Sequence, residues 1–207
     1  MSAKIAIHVV DDDAAIRDSL RVLLEASGFA VQTHATATAL LAAAPDLAGC
    51  VLTDMRMPAM DGLELQRRLN EHGARLPVIV MTGQGDIPIA VRAMRAGAVD
   101  FLEKPLNDDR LLEAVRRALE ASVRLAEARS NAAKALDLLA TLTPREREVL
   151  DLLVTGLSNK AIANELGSSP RTVEVHRARI LEKLHARSLP ELVRLVLAAE
   201  TEQPRER

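Results

Sequence analysis

With 207 residues, 48% of them apolar, the chain is long enough for two domains of ordinary size with real cores. Phe29 and Phe101 are its whole aromatic inventory, which excludes a binding mode that stacks nucleic-acid bases on aromatic rings. The net charge of −2 is informative only when divided: residues 1–124 carry 14 Lys and Arg against 17 Asp and Glu, whereas Ser169–Arg187 carries 5 against 2 and forms a small basic island.

Along residues 1–124, short apolar runs alternate with amphipathic segments. The runs are KIAIHVV, FAVQTH, GCVLTD, PVIVMT and AVDFLEK. Between them the spacing predicts helices over Ala14–Ser27, Thr36–Ala44, Gly62–His72 and Asp86–Ala96, with a fifth starting near Asn107. Near-continuous Val, Ile and Leu runs separated by helices imply parallel strands covered on both faces. Five such units predict a five-stranded parallel, doubly wound, flavodoxin-like α/β domain over residues 1–124. Cys50, the single cysteine, sits in one of these runs and is expected to be a buried, inert thiol. No apolar stretch reaches membrane-spanning length, and MSAKIAIHVVDDD is too short and too soon acidic for a signal peptide, so a cytoplasmic protein is expected.

From Leu106 to Thr143 there is neither Gly nor Pro, and Ala, Leu, Glu and Arg dominate. The fifth helix is therefore expected to run on into a helical linker over residues 125–141. Beyond Ala121 the heptad pattern is too poor for a coiled coil. Past Thr143 the strand pattern stops. Four helices are predicted, Pro144–Thr155, Asn159–Leu166, Pro170–Leu184 and Leu189–Ala199, giving an all-α four-helix domain over residues 142–207.

In an open parallel sheet, functional groups gather at the carboxyl ends of the strands. Here those ends carry Asp11 and Asp12, Asp54, Thr82 and Lys104. Three carboxylates in one place need a cation, and Mg²⁺ suits them as a hard ion that takes oxygen ligands and partners phosphate. Lys104 adds a positive charge for a phosphoryl oxygen and Thr82 a hydroxyl donor. A carboxylate so placed can act as a nucleophile and become an aspartyl-phosphate. Asp13 is expected to cap the following helix, and Asp46 and Asp86 need no other role. Met55, Met57 and Met60 read as gap-fillers, and GQGD at Gly83–Asp86 as a hinge.

HVVDDD, VLTDMRMPAMDGLEL, VIVMTGQGD and AVDFLEKP resemble the receiver domain of two-component response regulators over about residues 4–124. The resemblance implies that Asp54 accepts phosphate from a sensor histidine kinase. It implies that Asp11, Asp12, Asp54 and the backbone carbonyl of Arg56 hold Mg²⁺, and that Lys104 and Thr82 contact the phosphoryl group. Phe101 matches the aromatic switch position that turns inward with Thr82, and Lys104-Pro105 matches the family's cis peptide. Ala59 stands where glycine is common and Leu106 where phenylalanine is common. Two readings stay beside this one: a regulator that acts without phosphorylation, and a phosphohydrolase of the haloacid-dehalogenase type, suggested by the Asp11-x-Asp13 spacing.

KAIANELGSSPRTVEVHRARILEKL reads as helix, turn, helix. Gly167 turns the chain, Ser169 is the N-cap and Pro170 the first helical residue. Val173, Ile180, Leu181 and Leu184 form the expected buried stripe. LTPREREVL, GLSNKAIANELG and SPRTVEVHRARILEKL resemble the LuxR/NarL-type DNA-binding domain over about Leu142–Ala198, and the two halves together resemble the FixJ branch of response regulators. That implies double-stranded promoter DNA as partner, a homodimer on phosphorylation, and action as an activator. By position, Glu174, Val175 and Ala178 face bases, where Glu accepts from cytosine and Val or Ala touches thymine methyls. Lys160, Arg171, Thr172 and Arg177 are assigned to the DNA backbone. His176 is expected to pack and hydrogen-bond rather than read. Leu189, Leu192, Val193 and Val196 would pack the domain and help form the dimer. Ser168 replaces an apolar residue that would staple the turn onto Val173, and a looser turn is expected.

Overall fold

Each apolar run of the N-terminal half becomes a strand in the computed structural model, which describes residues 5–43, 47–83 and 87–200. The strands are β1 (Ile5–Val10), β2 (Val31–His34), β3 (Ala48–Asp54), β4 (Val78–Thr82) and β5 (Asp100–Glu103). All pair in parallel, in the order β2-β1-β3-β4-β5. The connections carry α1 (Ala14–Ala26), α2 (Ala37–Ala43), α3 (Gly62–Glu71) and α4 (Ile87–Arg95), and α5 (Asp108–Ala140) follows β5. Asp46, Asp86 and the rest of GQGD beyond Gly83 lie outside the described residues.

Strand alternation explains why the runs are apolar throughout. Ile7, Val9, Cys50, Leu52, Ile79 and Met81 pack against Leu20 and Leu24 of α1 and against Leu111 and Val115 of α5. Their neighbours Val10, Val51, Val78 and Val80 pack on the opposite side, with Leu40 of α2, Leu65 and Leu69 of α3, and Ala93 of α4. Both faces of the sheet are dry, so both sets of side chains must be apolar. Met55, Met57 and Met60 are buried in the second cluster, where their flexible stems fill space. Cys50 is fully buried, and burial pushes its thiol up to about 12. His8 is the exception within β1. Its Nε2 lies 3.3 Å from the Ala48 carbonyl, and its Nδ1 lies 3.4 Å from Nε2 of His34. Burial lowers both imidazoles below their ordinary value, which disfavours their charged forms.

The chain divides into two compact units, Met1–Leu125 and Ala126–Arg207. The second is all-α: the end of α5, then α6 (Pro144–Val154), α7 (Asn159–Glu165), α8 (Pro170–Lys183) and α9 (Leu189–Glu200). Its core joins Val149, Leu150, Ile162, Val173, Ile180, Leu184, Leu192 and Val196. It differs from the expected four-helix domain in recruiting the linker: Ala135 and Leu139 of α5 are buried in the same core. The spacing of Ala132, Ala135 and Leu139 makes one helical face, and small side chains let it approach closely. Among the described residues, no helix is long and apolar enough to cross a membrane.

Helix starts follow the caps. Asp13 accepts from Ala15 N at 2.8 Å, as expected of a helix-starting residue. Thr143 and Glu146 close a capping box at the start of α6. Glu146 is buried and also accepts from Lys183 Nζ at 2.6 Å. The Lys183 ammonium and the Thr143 amide hold its carboxyl down at about 2. A carboxyl depressed in the folded state contributes its stability in full above its ordinary value of 4.5 and loses it as the pH falls from there towards 2. Glu146→Gln is therefore expected to be less stable at neutral pH, with the gap in urea midpoint closing through that acid window.

Close pairing of β1 with β3 constrains position 49. Gly49 has φ +115°, and a Cβ there would stand 1.9 Å from the Ala6 carbonyl oxygen of the paired strand. Gly49→Ala is expected to destabilise the α/β unit by about 3 kcal/mol or more, read as a fall in unfolding midpoint.

Candidate functional site

Because β1 and β3 are neighbours, Asp11 and Asp54 leave the sheet side by side at its carboxyl edge. The order of strands reverses direction around β1 and β3, so the helices on either side diverge and open a crevice there. Asp11 is 1% exposed and Asp54 8%. Lys104, just past β5, reaches both: its Nζ donates to Asp11 Oδ2 at 3.0 Å and to Asp54 Oδ1 at 2.5 Å. Partial burial works against the ammonium charge, but the two carboxylates outweigh it and raise the lysine above its ordinary value. The remaining oxygens are also held. Asp13 N donates to Asp11 Oδ1 at 2.9 Å and Arg56 N to Asp54 Oδ2 at 2.7 Å. Asp12 is exposed. Among the described residues, no three His, Cys, Asp or Glu side chains already stand as a metal-ligand group.

Thr82 ends β4 between these strands and is 3% exposed, and its carbonyl accepts from Lys104 N at 2.8 Å. The Lys104-Pro105 peptide is cis. Phe101 lies outward, 39% exposed, beside Val91 and Met94 of α4, which are 46% and 45% exposed. Together they form an apolar depression on the α4 and β5 face.

In the second unit, α7 ends in a turn with Gly167 at φ +59°, a backbone that side chains disfavour. Ser168 N closes the turn onto the Ala163 carbonyl at 2.8 Å, and Arg145 Nη2 donates to the Leu166 carbonyl at 2.5 Å. Backbone bonds and an arginine thus hold the turn at the position where Ser168 offers no apolar staple. Ser169 then accepts from Thr172 N at 3.1 Å, with Pro170 opening α8. Val173 and Ile180 of α8, and Leu184 just past its end, are buried, while Leu181 is half-buried. Arg171, Thr172, Glu174, Val175, Ala178 and Arg179 are exposed along α8, and Lys160 is exposed on α7.

Family models match both units of the chain. The model of the response regulator receiver domain matches residues 7–116, and that of the luxR family of bacterial regulatory proteins matches residues 140–196. The chain belongs to the FixJ-type response regulators. It is a two-component transcription regulator with a receiver and a LuxR-type DNA-binding domain. It is 53% identical over 203 residues to the transcriptional regulatory protein FixJ of Azorhizobium caulinodans, covering 96% of this chain and 95% of that one. Identity to FixJ of Rhizobium meliloti is 50% over 196 residues, covering 93% and 95%. Among solved structures, the response regulator StyR superposes with a TM-score of 0.75 at 44% identity, covering 94% of this chain and 99% of that one. Full-length FixJ from B. japonicum gives 0.58 at 48%, covering 97% and 100%.

Of the residues that the sequence of this response regulator singles out, Asp11, Asp54 and Lys104 are joined directly, and Thr82 is buried at the end of β4. Asp12 stands at the rim and Phe101 on the neighbouring face. Arg177 is half-buried and reaches Asn159 Oδ1 at 3.5 Å, tying α8 back to α7. His176 is half-buried, and its Nδ1 is buried without the hydrogen-bond partner expected of it. Leu192 and Val196 are buried in the core and Leu189 packs against it, whereas Val193 is half-buried and Leu197 is 54% exposed. Sequence reasoning missed Arg17, whose Nη1 donates to the Asp11 carbonyl at 2.7 Å and fixes the acid loop. It also missed Glu146, although T-x-x-E before an apolar run is a capping-box signal.

Ala59, where glycine is common in receivers, has φ +66° in the loop after Asp54. Ala59→Gly is expected to stabilise the protein by roughly 0.5–1 kcal/mol by relieving a left-handed alanine, net of the freer unfolded chain, and a raised Tm checks it.

Proposed function

We propose that Asp54 accepts a phosphoryl group from a sensor histidine kinase and that this modification governs DNA binding by the second unit. The observation that carries the reading is the single Lys104 ammonium shared by two buried carboxylates at the sheet's carboxyl edge. An Asp54 oxygen would attack phosphorus while the bond from phosphorus to the donor histidine nitrogen breaks, and the imidazole leaves with a proton. Lys104 would then neutralise a phosphoryl oxygen, and the Thr82 hydroxyl would donate to another.

Receiver domains generally bind Mg²⁺ at the phosphorylation site. Asp11, Asp12, Asp54 and the Arg56 carbonyl fit that ion, being hard oxygen donors with Asp12 exposed at the rim. Bound there, it would supply the positive charge that adjacent carboxylates and a phosphoryl group require. Asp13 is taken up in capping α1, which argues against the Asp11-x-Asp13 phosphohydrolase reading.

On phosphorylation, Thr82 would move towards the phosphoryl group and Phe101 turn inward. The apolar face of Val91, Met94 and Phe101 would then favour a homodimer, a shift that requires different stabilities of that face in the two states. Functionally, residues 1–124 would receive the signal, 125–141 link, and 142–207 read promoter DNA. Lys160, Arg171, Thr172 and Arg177 would hold the backbone, and Glu174, Val175 and Ala178 would face bases. Activation of transcription in the cytoplasm completes this reading.

Asp54→Asn is expected to abolish Mg²⁺-dependent labelling by an acyl phosphate, and with it any label-dependent dimer seen by light scattering. A variant that still labels and dimerises like wild type sinks the proposal. A wild-type chain that never labels yet binds DNA favours regulation without phosphorylation.

A further inference from the structure

Two consecutive residues at the start of α6 grip both helices of the helix–turn–helix. Arg145 Nη2 donates to the Leu166 carbonyl at the end of α7, and Glu146 accepts from Lys183, the last residue of α8. The Lys183 ammonium donates a second time, to the Thr141 carbonyl just past the end of α5, at 3.2 Å. One side chain therefore joins α8, the capping box of α6 and the joint between α5 and α6.

As a source of stability alone this arrangement is poorly chosen. The Glu146 carboxylate loses its hydration while Lys183 keeps 35% of its side chain exposed, and apolar replacements of a buried charge pair often do as well or better. What a charge pair adds is direction. Glu146 is 3% exposed and fixed at both ends by the capping box, so the point to which Lys183 is tied does not move. The lever is long: Arg171 and Glu174 lie roughly 14–18 Å along α8 from Lys183 at the helical rise per residue. A tilt of about 5° at that anchor moves them by roughly 1.5 Å, enough to break a hydrogen bond to a base edge.

We propose that Lys183 is a positioning residue for DNA recognition, setting the pitch of α8 by anchoring its last turn to Glu146 and Thr141. This rests on α8 being the DNA-reading helix.

The test uses the full chain, a duplex that the wild-type chain selects from a random-sequence pool, and a scrambled duplex of the same composition. The double variant Glu146→Gln, Lys183→Met removes the anchor without leaving a buried carboxylate unpaired. It is expected to keep wild-type helicity by circular dichroism and to lose about tenfold in affinity for the selected duplex, against less than about twofold for the scrambled one. Lys183→Arg, which keeps the donor, is expected to recover most of the loss. The proposal is overturned if the double variant binds the selected duplex as wild type does, if both affinities fall by the same factor, or if the variant unfolds. Arg171→Ala separates the two levels: unchanged binding to both duplexes would remove α8 as the reading helix, whereas weakened binding leaves the Lys183 result to stand or fall alone.

Discussion

The receiver unit is organised around a single ammonium group that makes two buried carboxylates tolerable. Asp11 and Asp54 are adjacent because β1 and β3 are adjacent, and the Lys104 ammonium between them offsets their mutual repulsion. Lys104 comes from 93 residues beyond Asp11 and 50 beyond Asp54, so the pair exists only once the sheet is complete. It must also reach past the end of β4, which a long flexible stem allows. That path explains why Thr82 sits buried at the end of β4, its backbone paired to Lys104.

The helical unit solves the same problem for a different purpose. Glu146 is buried as deeply as the receiver's acids and is also compensated by one lysine. The difference lies in what surrounds each pair. The Asp11 and Asp54 pair ends at an exposed Asp12 and at loops, open to an incoming group. The Glu146 and Lys183 pair is tied instead to the capping box of α6 and to the Thr141 carbonyl.

Much of the fold was legible because its signals are local. Alternation of apolar runs with amphipathic helices survives any detail of packing, and Asp13, Ser169 and Pro170 mark helix starts by their own hydrogen-bonding chemistry. The candidate receiver site was legible as well, since strand ends in a parallel sheet must converge. Less legible were Arg17, which acts through a backbone carbonyl that any sequence possesses, and Lys183, whose partner Glu146 lies 37 residues away. The linker was half read. Its helicity follows from composition, but burial of Ala135 and Leu139 depends on a core built by residues that follow them in the chain.

By itself, then, the sequence determined the two-part architecture, the parallel sheet and the list of polar residues at its edge, because periodicity and strand order fix which side chains share a face. Tertiary structure alone decided which of those residues touch. Lys104, and not a third carboxylate, lies between Asp11 and Asp54, and Asp12 is left at the rim. Leu192 and Val196 are consumed by the core while Leu197 faces outward. The reason is the same in each case. Contact between groups far apart in the chain depends on how neighbouring elements pack, and that is a property of the assembled core rather than of any local stretch.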